Sequence, residues 1–209
     1  GRKHTDGSLA MRTFILILTA VIMSGWCGQG QAYVLPEPDA ASAGLGGAYT
    51  AKVSGPAAVY WNAAALGDLY EPQFQTMKKS LLFGDTFTSF SYAQPVGSIK
   101  IGLQERRLTL KYLEERDSHG VLRSLFQEDY LDRAIAAAYP FRKGFCLGAT
   151  YHQWTRAVGF RKVRAHSIDL SGQWRIQDNL RLALVFGGLI SRASGHQDII
   201  GPAPASFTR

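Results

Sequence analysis

Cysteine is almost missing from this chain: Cys27 and Cys146 are the two in 209 residues. If the stretch holding Cys27 is removed on export, a lone thiol remains, which excludes an internal disulfide. Metal-ligand spacing is missing as well. His119, His152, His166 and His196 are scattered, with no His-x-x-x-His pair, no Gly-x-Ser-x-Gly elbow and no carboxylates paired at one strand end. No catalytic residue, metal or cofactor is therefore expected.

Charge is also sparse, at 19% of residues. Beyond residue 32 there remain 20 basic and 15 acidic side chains. They alternate in sign, as in Glu105-Arg106-Arg107 and Glu114-Glu115-Arg116-Asp117. A nucleic-acid surface would carry a basic stripe interleaved with aromatics, so no nucleic-acid partner is expected.

The apolar run near the start, Phe14 to Trp26, is 13 residues long. As a helix it rises ~20 Å, short of the ~30 Å hydrocarbon core, which argues against a membrane anchor. Met11-Arg12-Thr13 before it and Gly28-Gln-Gly-Gln-Ala32 after it complete the layout of a secretory signal. Small residues at Gly30 and Ala32 fit cleavage after Ala32. Lipidation at Cys27 is disfavoured because bulky Trp26 precedes it. Residues 1–10 form a polar upstream extension to the 11–32 signal peptide and are left out of the fold.

What the chain has is turns and alternation. Its 22 glycines and 11% aromatics lean toward a β-rich protein. At 99–104, Ile99, Ile101 and Leu103 oppose Lys100, Gly102 and Gln104, a period of two. The same alternation recurs at 145–152, where Phe145, Leu147, Ala149 and Tyr151 oppose Cys146, Gly148, Thr150 and His152. It recurs at 166–174, with Ile168, Leu170 and Trp174 opposing Asp169, Ser171 and Gln173. Segment 180–190 is apolar on nearly both faces, with Leu180, Leu182, Leu184 and Phe186 against Arg181, Ala183, Val185 and Gly187.

Short turns around Pro95-Val-Gly97, Pro140 to Gly144 and Asp178-Asn179 join these strands as hairpins of one kind. Residues 105–133, with 13 charged side chains and the Asp117-Ser-His-Gly120 turn, read as a long polar connection at the opposite end. Short turns on one side and long loops on the other are the asymmetry of transmembrane barrels, which would place the short turns in the periplasm. Tyr92, Tyr139, Phe141, Tyr151, Trp154 and Trp174 could then form interfacial girdles. Alternation by itself fits a soluble exported β-sandwich equally well.

The N-terminal region carries the more specific signal. Ala41-Ser-Ala-Gly-Leu-Gly-Gly-Ala-Tyr-Thr-Ala-Lys52, followed by Gly55-Pro-Ala-Ala-Val-Tyr-Trp-Asn-Ala-Ala-Ala-Leu66, resembles the opening of the PorV/PorQ family of outer-membrane proteins, grouped with the FadL-like fatty-acid transporter barrels. The matching positions are Gly44, Gly46, Gly47, Ala48, Tyr49, Thr50, Tyr60, Trp61, Asn62 and Leu66. Two positions depart from the pattern: Ala63 stands where the family usually has proline, and Ser54-Gly55-Pro56 replaces an acidic spacer. The resemblance continues more loosely to about Ser191. A dinucleotide fingerprint at Gly44 to Gly47 fails, because Tyr49 occupies the third glycine position and no strand precedes it.

The resemblance implies an all-β fold, an antiparallel up-and-down transmembrane β-barrel. About seven strands are expected between Gln73 and Arg192, fewer than a complete barrel of that kind, so residues 73–209 are expected to be the N-terminal half of a barrel. Residues 33–72 are expected to form an Ala/Gly-rich hatch, and Lys100, Gln104, His152 and Asp169 to face the lumen. It further implies a non-enzymatic protein that supports type IX-like protein secretion or surface attachment. Its partners would be outer-membrane lipid and secretion components. The alternatives are a FadL-like channel for hydrophobic small molecules and an exported soluble binding sandwich.

Overall fold

The structure is a computed structural model and describes residues 35–142, 144–159, 161–177 and 180–194. The signal segment, the Asp178-Asn179 turn and the C-terminal tail lie outside the described residues.

Seven antiparallel strands form one sheet in sequence order: β1 (Gln73–Ser80), β2 (Thr86–Val96), β3 (Ile99–Arg116), β4 (Leu122–Arg142), β5 (Phe145–Val158), β6 (Arg161–Gln177) and β7 (Leu180–Ser194). Each strand pairs with its neighbour in the chain, so β1 and β7 are edges and the sheet is not closed into a barrel. The predicted strand number and the inward–outward assignment of each alternating segment agree with this sheet.

The expected long connection at 105–133 is not a loop. β3 runs on to Arg116 and β4 starts at Leu122, leaving a five-residue turn, Asp117 to Val121. Much of this stretch is charged because its strands extend past the apolar outward rows, and charge alone does not separate a solvated strand from a loop. Asp117 builds the turn: its carboxylate accepts from the N–H groups of His119 at 2.9 Å and Val121 at 3.0 Å. β2 ends its pairing with β3 at Thr109, and β5 ends its pairing with β4 at Glu128. Residues 110–127 therefore project as a two-stranded hairpin, with a bulge where Tyr112 takes φ +59°. The ends of the sheet do differ, through strand overhang and not through loop length.

One face of the sheet is uncovered, and its rows follow from the register. Phe74, Tyr92, Leu103, Ile135, Tyr151, Ile168 and Ile190 stand side by side across all seven strands. From that row toward the short turns the outward residues are apolar except Gln94, and include Leu147, Leu170, Leu184 and Phe186, each close to half exposed. One step toward the projecting hairpin the row changes to Thr76, Phe90, Glu105, Arg133, Gln153, His166 and Arg192. The apolar surface thus stops over a single row, a step of ~7 Å along the strand.

The other face is covered by residues 35–72. Helix α1 (Ala40–Gly44), helix α2 (Ala58–Trp61) and two 3-10 turns, at Gly55–Ala57 and Ala63–Asp68, are its ordered pieces. Val53, Ala57, Ala58, Val59 and Leu66 are almost fully buried against Ala93, Ala134, Ala136, Ala138 and Cys146 of the strands. Small residues on both sides make this close approach possible. A second cluster, Leu35 with Phe87 and Leu108, lies toward the projecting end, packed by Met77, Tyr130 and Trp154.

Candidate functional site

The covered face is where the sequence-predicted residues meet. Asp39 caps α1, its Oδ1 accepting from the N–H of Ser42 at 2.8 Å. Gly46 and Gly47 then take φ +60° and +82°, which reverses the chain. Tyr49 is buried edge-on to Trp61 at 6.2 Å, and Trp61 packs edge-on to Tyr60 at 5.1 Å. Burial and the nearby Asp39 carboxylate raise the Tyr49 phenol above its ordinary range, partly offset by a hydrogen bond with Ser54.

Asn62 joins the two parts of the motif to the sheet. Its Oδ1 accepts from the N–H of Ala64, while its Nδ2 donates to the Thr50 carbonyl at 3.1 Å and to Gln173 Oε1 at 3.0 Å. Two more hydrogen bonds cross to the strands: Ala64 N–H to Ser171 Oγ at 3.0 Å, and Thr150 Oγ1 to the Val59 carbonyl at 3.3 Å. Asp68 forms ion pairs with Arg175 and Arg181. Glycines mark the closest contacts. A side chain at Gly102 would collide with Val59, and one at Gly148 with the backbone of Ala63 and Ala64. Leu66 is fully buried, whereas Gly44, Gly46 and Ala48 are exposed and touch nothing that explains their place in the motif.

Lys100, Gln104, His152 and Asp169, the residues expected to face a lumen, all lie on this covered face. Gln104 donates from Nε2 to Ser91 Oγ at 2.8 Å. His152 and Asp169 belong to a charged ladder that crosses four strands. Arg106 gives Asp132 Oδ2 two hydrogen bonds, at 3.0 Å from Nε and 2.5 Å from Nη2, and both side chains are fully buried. His152 Nδ1 stands 3.2 Å from the other Asp132 oxygen. Its Nε2 stands 3.6 Å from Asp169 Oδ2. Asp169 Oδ1 in turn accepts from the N–H of Gly188, where β7 bulges.

The ladder also grips the covering segment. The Arg106 guanidinium lies 3.7 Å from the centre of the Tyr60 ring, with Trp154 at 5.5 Å. Trp154 therefore faces the covered side beside His152, and its assignment to an outward girdle is corrected. Tyr139, Phe141, Tyr151 and Trp174 do point outward, each about half exposed. Arg106 and Asp132 were missed in the sequence because they fall in the stretch read as a connection. The available signal was that Arg106 keeps the period of Gly102 and Gln104.

Chemically, the arrangement holds charge in a buried interior. No serine or cysteine lies against the imidazole in a nucleophile's position among the described contacts of His152, and no cluster of three metal-ligating side chains is assembled among the described residues. No helix among the described residues is long and apolar enough to cross a membrane, which leaves crossing by strands open.

Fold and site together define an open antiparallel sheet with one polar face sealed by an N-terminal segment and one apolar face left bare. Comparison with protein-family profiles, with curated proteins and with solved structures finds no match to this chain.

Proposed function

We propose that this chain is a non-enzymatic outer-membrane β-barrel protein of PorV/PorQ type, exported by the signal at 11–32, that supports protein secretion or surface attachment. The observation that carries the reading is the unequal pair of faces. A sheet with an outward apolar row across all seven strands and mostly apolar outward residues from there to the short turns, and with inward rows that are polar and plugged, suits lipid on one side and a hydrated lumen on the other. Ile168 to Ile176 on β6 spans about nine residues and Leu180 to Ile190 on β7 about eleven, the length a tilted strand needs to cross the hydrocarbon.

A binding role is favoured over conduction. The segment at 35–72 meets the sheet at backbone contact through Gly102 and Gly148, with buried hydrogen bonds on both sides, which suits a fixed plug. The hairpin at 110–127 offers the partner surface in place of the expected loop, and Tyr112, Val121, Leu122 and Leu125 are exposed on it.

The test is fractionation of the expressed full-length protein. It is expected in the outer-membrane fraction, resistant to alkaline extraction, with gel migration that changes on heating. Recovery solely as soluble protein, with migration unchanged by heat, would sink the proposal.

A further inference from the structure

The border where the apolar surface ends is basic. In the two rows beyond it, the outward side chains include Lys78, Arg107, Arg133, Arg164 and Arg192 from five different strands. Glu105 is the one carboxylate in those rows, and it accepts from Arg133 Nε at 2.8 Å. Lys78, Arg107, Arg164 and Arg192 are exposed. The opposite border is built differently. Among the described residues there, the outward positions Val96, Ile99, Tyr139, Phe141, Phe145 and Trp174 carry no charge, and Arg142 is the one cation the register pairs with them, opposite Phe145.

We infer that this basic border is a docking surface for the phosphate-bearing headgroups of anionic lipids, whose acyl chains lie against the apolar rows beneath. The inference rests on the membrane reading above and adds which lipid chemistry the sheet selects, and at which end. Charge complementarity carries it. Cations within the first ~13 Å beyond the apolar row meet the layer where headgroup phosphates lie, and guanidinium groups bind phosphate oxygens in a bidentate fork. Long stems reaching up from Arg107 and Arg164 keep methylenes on the apolar side and charge in the headgroups.

The test is flotation of the full chain with vesicles of phosphatidylcholine alone and of phosphatidylcholine with one quarter phosphatidylglycerol. An arginine near an anionic surface strengthens partitioning about fivefold. Arg107→Gln/Arg164→Gln/Arg192→Gln is therefore expected to lose about 100-fold on the anionic vesicles and nothing on the neutral ones. Lys79→Gln/Arg116→Gln/Arg123→Gln removes the same charge from positions off these rows, and is expected to lose less than a tenth as much. Equal partitioning of wild type onto both vesicles, or equal losses in the two triple variants, would overturn the inference and leave the membrane reading standing. Failure to float with either vesicle would overturn both. Unchanged far-ultraviolet circular dichroism in each variant separates these results from misfolding.

Discussion

Arg106 and Asp132 are each fully buried and joined by two hydrogen bonds, and such a pair gains stability only while both partners remain. Asp132→Ala leaves the guanidinium and His152 without their shared acceptor. It is expected to cost about 3–5 kcal/mol of folding stability, measured by urea unfolding of the folded protein in detergent. Arg106→Met/Asp132→Leu removes both charges and is expected to recover most of that loss, whereas a double variant as unstable as the sum of the singles would contradict the pairing. At this scale the sequence was partly legible. Gln104, His152 and Asp169 were found from alternation alone, because period two survives wherever one face is buried. Asp132 was not, since a carboxylate among 13 charged residues at 105–133 looks solvated until the register sets it on the covered side.

Among the elements, the covering segment and the projecting hairpin were legible to different degrees. The Gly-Gly-Ala-Tyr-Thr and Tyr-Trp-Asn runs lack period two and are rich in small residues, which marked 40–70 as backbone packed closely on something. The structure supplies what that is, the inward faces of the strands from β2 to β6. The hairpin was misread because a strand extending beyond the apolar part of a sheet has no buried face to impose a pattern; only the Asp117 to Gly120 turn was visible in the sequence. The seating of the plug gives a direct prediction. A Cβ at Gly67 would stand 3.1 Å from Cys146 Cβ, slightly inside the usual disulfide separation of about 3.5–4.5 Å. Gly67→Cys, with Cys27→Ser to leave two thiols, is expected to form the disulfide on mild oxidation and to migrate faster on a non-reducing gel. Two thiols that stay free under those conditions would mean that the segment does not lie on β5.

At the scale of the whole molecule, seven strands in up-and-down order leave β1 and β7 running in the same direction. Closing such a sheet by antiparallel pairing takes an odd number of further strands, consistent with the even totals of bacterial barrels. Both edges expose unpaired backbone groups, which in lipid would each cost several kcal/mol, so the account requires them to be paired before or during insertion. On the proposed function, the apolar rows of the bare face lie in hydrocarbon. Fluorophores attached at Leu103→Cys, Ile135→Cys or Leu184→Cys, in a Cys27→Ser/Cys146→Ala background, report on it when the protein is placed in bilayers. Brominated acyl chains are expected to quench all three strongly while aqueous iodide does not, and a label at Leu125→Cys on the projecting hairpin should respond the opposite way. Iodide quenching at Leu103, Ile135 and Leu184, with brominated lipid silent, would contradict the account.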